Sequence, residues 1–377
     1  MIAFAHISST NSGKRILIAA GGTGGHVYPA ISIADALKAA EPDANLLFVG
    51  TGTNMESTAV PKAGYPFRPI WISGFHRRIT IQNLLFPVKL MVSLLQSLKI
   101  IMSFKPDVVI ACGGYASGPV AWVAAKLSKP LFLQEQNSYP GVTNRLLGKS
   151  AEKIFTAFDE AAPYFPSEKV ENVGNPIRAE LTAANQSEAL DEFNFSDDKP
   201  VLLVLGGSGG AKSINQAMAE HVKKLHDELG LQIIWQCGNK YYEEYNNRID
   251  SSKLPDLRLR AFLHNMAFAY AAADLVISRA GALSCSELQI TGNACLLVPS
   301  PHVAADHQTK NAQSMADRGA AKIITDDSLN EQLVDEVSAL IQNQQKLETM
   351  QQEARKMGRP DAAQNIAEQI LSHINTT

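Results

Sequence analysis

The sequence predicts an α/β protein made of two parallel-sheet domains facing each other, and three observations predict it. Apolar runs of strand length alternate with longer segments of helical period along the chain. The two halves repeat one another in order. A chain of 377 residues also exceeds what one hydrophobic core organises, at about 150 residues per domain.

Strands are expected at 15–20, 45–50, 107–112, 130–134, 200–205, 232–236, 274–278 and 294–299. RILIAAGGTGG returns as VLLVLGGSGG, which pairs Gly21 with Gly206. PDVVIACGGYASG returns as ADLVISRAGALSC, which pairs Asp107 with Asp274 and Gly114 with Gly281. The polar stretch 168–199 carries Asn175-Pro176 and ends in Ser196-Asp197-Asp198-Lys199-Pro200, so it reads as the join. Domains are therefore expected at 1–178 and 179–358. Gly358-Arg359-Pro360 then breaks a helical pattern, and 361–372 reads as a further helix, within 359–377, that can return to the first domain. Ser328-Leu329-Asn330-Glu331 is a capping-box sequence.

A helix is expected over 88–102. Val88, Met91, Val92, Leu95, Leu98, Ile101 and Met102 form its apolar stripe, with Lys89, Ser93, Gln96 and Lys99 largely opposite. One reading is a crossover helix with the stripe packed on the sheet. The other joins it to the approach Trp71–Arg78 and to Leu84, Leu85 and Phe86 as an exposed apolar and basic surface that rests on anionic lipid without spanning it.

Composition excludes several classes. With 34 Lys+Arg against 37 Asp+Glu, a net charge of -3, the chain has no bulk positive charge for nucleic acid. At 45% hydrophobic and 19% charged it is a folding chain, not a disordered one. Cys112, Cys237, Cys285 and Cys295 are scattered and read as buried small hydrophobes of a reducing compartment. The first 15 residues have no leader pattern. The uncharged runs 16–34, 108–125 and 288–305 are each broken by Gly or Pro, which a lipid-facing helix tolerates poorly. A soluble, cytoplasmic chain is expected.

The glycines carry the chemistry. Gly21-Gly22-Thr23-Gly24-Gly25-His26 leaves a strand and opens a helix, as does Gly206-Gly207-Ser208-Gly209-Gly210. Such turns let backbone approach a ligand and point free N–H groups and the helix dipole at it. Two of them across a cleft suit a diphosphate; the plainer alternative is tight strand–helix packing. A dinucleotide site needs an acid ending the second strand, and Val49-Gly50-Thr51 and Gln236-Cys237-Gly238 supply none. A P-loop is missed by one residue, Ala211 standing where Gly belongs before Lys212-Ser213, and Asp274 precedes its apolar run where a magnesium ligand would follow one. There is no D-x-D for a metal, so neutralisation falls to helix starts and a base such as Arg178. Glu287, in SRAGALSCSE, is either a helix-dipole partner or an acceptor for a ribose diol.

GGTGGH, GGYxSGP at 113–119, QEQN at 134–137, GNPIR ending at Arg178, GGSGGAKSINQ from Gly206 and SRAGALSCSE from Ser278 occur in that order. Together, over roughly 15–320, they resemble the MurG family of peptidoglycan N-acetylglucosaminyltransferases. The resemblance implies a GT-B fold of two Rossmann-like domains, a donor UDP-N-acetylglucosamine, and an acceptor muramoyl-pentapeptide on undecaprenyl diphosphate at the inner face of the membrane. It implies no cofactor, no metal and no nucleic acid. By match to the family's motifs, Thr23, Gly24 and Gly25 lie near donor sugar and diphosphate, Asn137 and Gln308 bind the sugar, and Arg178 and Leu263 flank the nucleotide. Ser208 meets the diphosphate, and Ala282, Leu283, Ser284, Cys285, Ser286 and Glu287 form the uridine and ribose wall.

The implied reaction is inverting: the acceptor's 4-hydroxyl attacks the anomeric carbon and UDP leaves from the opposite face. His26 is the candidate base, because it ends the first loop and titrates near neutrality; the alternative is that it only hydrogen-bonds the loop or donor. Phe75 is an acceptor-side candidate, and Tyr115, in the GGY turn, is either acceptor-side or structural. Rivals are another GT-B transferase, a UDP-N-acetylglucosamine epimerase of similar fold, a P-loop-like nucleotide binder using Lys212, and a silent sugar-nucleotide module.

Overall fold

Runs that are apolar on both faces form strands only where both faces are covered. The computed structural model, which describes residues 13–74, 85–207, 209–303 and 306–376, places these runs at the centres of two all-parallel sheets. The first contains β1 (Arg15–Ala19), β2 (Asn45–Thr51), β3 (Phe67–Ile70), β4 (Val108–Ala111), β5 (Leu131–Glu135), β6 (Lys153–Thr156) and β7 (Val170–Asn172), in the order β3-β2-β1-β4-β5-β6-β7. The second contains β8 (Val201–Leu205), β9 (Gln232–Gln236), β10 (Leu257–Arg260), β11 (Leu275–Ser278), β12 (Ala294–Leu297) and β13 (Ala321–Ile323), in the order β10-β9-β8-β11-β12-β13. Each order reverses beside its first strand, at β1/β4 and at β8/β11, the position where doubly wound sheets hold ligands. All the expected strands are present, with ends shifted by a residue or two; β3, β6, β7, β10 and β13 are additional.

Side chains alternate between the two faces of each sheet. Ile16 and Ile18 of β1 join Val27, Ile33 and Phe48 on one face, while Leu17 and Ala19 join Val49, Val109 and Leu133 on the other. The internal repeat has a physical basis as well. Asp107 Oδ2 accepts from Arg15 N at 2.7 Å, and Asp274 Oδ2 accepts from Val201 N at 2.7 Å. Each carboxylate thus ties the start of one central strand to its neighbour. Asp274 lies at the end of the sheet opposite the glycine turn, so it has no part in a phosphate site.

The stretch expected as a join is shorter than 168–199. β7 within it belongs to the first sheet, and the helix Gln186–Phe193 packs on the helix Met266–Ala272 of the second half, burying Leu190 and Phe193. The last helix, Ala362–Thr376, packs against the helix Gly24–Ala40 and places Ile366, Ala367 and Ile370 in the first sheet's core. The chain therefore crosses between the halves twice, and the crossings touch: a Cβ on Gly174, at φ +89°, would stand 2.4 Å from Arg359 Cβ. Ser328 caps the helix Leu329–Ile341 only by position. Its hydroxyl pairs with Thr325 Oγ1 at 2.8 Å instead of the helix amides, so the expected capping box does not form.

The helix Phe86–Phe104 decides between the two readings of its stripe. Its buried face is Ser93, Ser97, Ile100 and Ile101, and the serine hydroxyls are satisfied by Leu90 O and Ser93 O of the same helix, both at 2.7 Å. Small residues let the helix approach the sheet. The apolar stripe faces outward: Val88, Met91, Leu95, Leu98 and Met102 are exposed, Met91 by 67% and Leu95 by 63%. Only Ile101 of that stripe is buried. All four cysteines are free and buried, as expected.

Candidate active site

The first glycine turn is held from beneath by an acid that sequence reasoning did not select. Glu56 is fully buried; it accepts from Gly22 N (3.1 Å), Thr51 N (2.9 Å) and Thr51 Oγ1 (2.5 Å). These bonds fix the turn with its helix amides open to the cleft. Thr23 is the N-cap by position, but its Oγ1 pairs with His26 Nδ1 at 2.9 Å rather than with the helix.

The second N-domain motif is wedged against the first. Gly114 has φ +78°, and a Cβ there would stand 2.0 Å from Gly21 O. Tyr115 packs on Gly22 and Gly74, and its hydroxyl accepts from Asn54 Nδ2 at 2.5 Å. An alanine at Gly114 meets both backbone strain and a backbone wall. We predict that Gly114→Ala costs well over the ~1–2 kcal/mol of left-handed strain alone. Gly207, at φ +79° with open space around it, is the control: Gly207→Ala loses only the strain. Thermal melts of the two variants check the difference.

His26 packs on Gly113 and faces the opposite half. Burial first, and then the charge of His307 across the cleft, lower its pKa to about 4 against the opposing pull of Glu56. The imidazole is neutral at physiological pH. His307 opens the helix His307–Ala316, which also carries Gln308 and Asn311. Asn311 is fully buried and bonds the two halves together: its Oδ1 accepts from Ser138 N (3.0 Å) and Ser138 Oγ (2.9 Å), and its Nδ2 donates to Ala280 O (3.2 Å) and Asn137 Oδ1 (3.5 Å). Asn137 is oriented from its own side as well. Buried Glu135, its pKa raised by burial against four hydrogen bonds, accepts from Asn137 N at 3.0 Å and Asn137 Nδ2 at 3.3 Å. The pairing of domains brings Asn137 beside the helix that carries Gln308.

On the C-terminal side, Leu263 N donates to Gln236 Oε1 at 2.9 Å, and Gln308 Oε1 accepts from Ser300 N at 2.9 Å. A cavity of 510 Å³ lies over the strand ends, lined by Gly206, Gly210, Lys212, Arg279, His302 and Gln308 among others. Ser213, the residue a P-loop would give to magnesium, donates instead to Asp326 Oδ1 (2.7 Å) and accepts from Arg279 Nη2 (2.8 Å). The residues 282–287 divide. Cys285 is in the core; Ser286 Oγ accepts from the crossing residue Asn175 at 2.9 Å; Ala282 is buried, while Leu283 and Ser284 are partly open. Glu287 keeps one oxygen on Tyr270 OH at 2.8 Å. Its pKa is raised by burial, against the pull of Tyr270 and of Arg178, which the fold brings close. Ser208 and Phe75 lie outside the described residues.

Two doubly wound sheets that turn their strand ends and glycine-loop helix starts toward each other define the GT-B class of sugar-nucleotide enzymes. The comparisons agree. The Glycosyltransferase family 28 N-terminal domain matches residues 16–156, and the Glycosyltransferase family 28 C-terminal domain matches 201–366. The chain is 44% identical over 365 residues, 96% of its length and 98% of the relative's, to the UDP-N-acetylglucosamine--N-acetylmuramyl-(pentapeptide) pyrophosphoryl-undecaprenol N-acetylglucosamine transferase of Christiangramia forsetii. It is 44% identical over 357 residues, 95% and 96% of the two chains, to the enzyme of that name from Salinibacter ruber. The crystal structure of Acinetobacter baumannii MurG superposes with a TM-score of 0.76 at 30% identity, covering 95% of this chain and 99% of that one. The chain belongs to the MurG family. A UDP-GlcNAc 2-epimerase from Neisseria meningitidis shares only the fold, with 14% identity at a TM-score of 0.65 over 95% of this chain and 100% of that one.

Proposed function

We propose that the chain transfers N-acetylglucosamine from UDP-N-acetylglucosamine to the 4-hydroxyl of N-acetylmuramoyl-pentapeptide on undecaprenyl diphosphate, a step of peptidoglycan synthesis. The full-length 44% identity to transferases of that name, across both halves, carries this reading. The second domain holds the nucleotide, with Arg178 and Leu263 beside the base and Glu287 on the ribose. Thr23, Gly24 and Gly25 meet the diphosphate through a helix start, and Ser208 is a further diphosphate contact by match to the family's motif. Asn137 and Gln308 hold the sugar. Neutral His26 takes the proton of the attacking hydroxyl as the new bond forms, and UDP leaves from the other face. Incubation with UDP-N-acetylglucosamine and a lipid-linked muramoyl-pentapeptide tests this. UDP and disaccharide appear together on this account; UDP release without acceptor argues for another activity.

The first domain is the acceptor and membrane side, and the protein works peripherally on the cytoplasmic face of the bacterial membrane. Supporting this is the outward stripe on Phe86–Phe104, continued by exposed Trp122 on the adjoining helix Ser117–Lys126. Basic groups rim it, with Lys89 Nζ 5.8 Å from the Trp71 ring and Lys126 Nζ 5.6 Å from the Trp122 ring. Phe86–Phe104 is long and apolar enough to cross a membrane, but Ile100 and Ile101 anchor it to the sheet's core, which suits a helix lying along the surface. Arg77, Arg78 and Leu84 of the expected patch lie outside the described residues. Replacing Met91 and Leu95 with glutamate is expected to abolish sedimentation with phosphatidylglycerol vesicles while leaving the melting temperature within about 2 °C, since both side chains already face solvent.

A further inference from the structure

A cluster beside the cleft has no role in the account above. The Tyr139 ring, one residue beyond the Asn137–Ser138 bonds to Asn311, lies under two cations. Lys310 Nζ from the second half is 3.4 Å from the ring centroid, and Arg145 Cζ from the first half is 5.0 Å from it. Tyr164 packs edge-on against the same ring at 5.0 Å. Among the described residues, neither cation has a carboxylate within ion-pair distance. Arg145 Nε is buried without a hydrogen-bond partner. Two like charges gathered at one ring with no carboxylate between them, and an unmet buried donor, make an arrangement that suits an anion.

The position indicates which anion. Arg145 lies on the short helix Val142–Leu147, whose Val142 and Leu146 are exposed by 63% and 77%. That helix adjoins Ser117–Lys126 and so extends the outward apolar surface. Lys310 neighbours Asn311 on the helix that holds Gln308. The cluster thus stands between the lipid-facing surface and the sugar loop, on the line an acceptor anchored in a membrane must follow. We propose that Arg145, Tyr139 and Lys310 form a clamp, one cation from each half, for an oxyanion of the lipid-linked acceptor: its diphosphate or a carboxylate of its peptide. Binding there also draws the halves together, because the two cations belong to different lobes.

This inference rests on the glycosyl-transfer reading, and wild-type turnover measured alongside keeps the two failures apart. Steady-state kinetics use UDP-N-acetylglucosamine and a short-chain lipid-linked muramoyl-pentapeptide in detergent. Arg145→Ala and Lys310→Ala each raise acceptor KM about tenfold, the loss of one charge-assisted hydrogen bond. Donor KM is unchanged, and Lys310→Arg restores acceptor KM. Repeating the series with the peptide carboxylates amidated separates the sources: a penalty that persists assigns the clamp to the diphosphate, and one that vanishes assigns it to the peptide. Unchanged acceptor KM in both variants overturns the proposal. So does an equal rise in donor KM, or a penalty seen only when phosphatidylglycerol vesicles are added.

Discussion

His26→Ala is expected to lower kcat by about a hundredfold or more with both substrates saturating, the scale of a lost general base. The reason is local. Thr23 Oγ1 stands 2.9 Å from Nδ1, and the tautomer that donates from Nδ1 to Thr23 leaves Nε2 as the basic nitrogen. In the free protein, burial and then His307 hold the pKa near 4, which makes a weak base. Two diphosphates entering the cleft bring negative charge that favours the imidazolium and raises that value. The acidic limb of kcat/KM, which reports the free protein, is therefore expected at lower pH than the acidic limb of kcat, which reports the ternary complex. Coincident limbs, or a His26→Ala variant with near-normal kcat, would remove the base from the mechanism.

On the proposed reading, Glu287→Ala is expected to weaken UDP-N-acetylglucosamine binding about ten- to hundredfold when measured by calorimetry, the loss of a charged acceptor for a diol. One carboxylate oxygen is already placed by Tyr270 OH at 2.8 Å, and the other is the one the proposed reading gives to the ribose. Tyr270→Phe removes only that support, so its effect on donor affinity is smaller and in the same direction. An unchanged dissociation constant in Glu287→Ala would leave Glu287 as a helix-dipole partner and no more.

The readable parts of this chain were those where one physical requirement dominates. Central strands such as β1 and β8 must be apolar on both faces, and the glycine turns must admit backbone, so both stand out in sequence. The edges do not. β3 carries Arg68-Pro69, β10 reads LRLR, and β7 and β13 are three residues each, because half-solvated edge strands need little apolar character. The helix Phe86–Phe104 was legible as amphipathic but not in orientation: period alone does not say which face meets the sheet, and small serines were the better packers. At the site, the loop residues were visible and their supports were not. Glu56, Glu135 and Tyr270 act within their own domains by bonding loop backbone or a neighbouring side chain, which no motif marks. Asn311 acts on Ser138, 173 residues away, and only the pairing of domains reveals it.

The central claim is that facing glycine turns and a neutral His26 deliver an acceptor hydroxyl to the donor's anomeric carbon with inversion. NMR of the product made from α-linked UDP-N-acetylglucosamine and the lipid-linked muramoyl-pentapeptide tests it directly. The account predicts a β-linked disaccharide, with the large anomeric coupling of a diaxial proton pair and one UDP released per linkage. An α-linked product, or conversion of the donor to its 2-epimer without a new linkage, would contradict it.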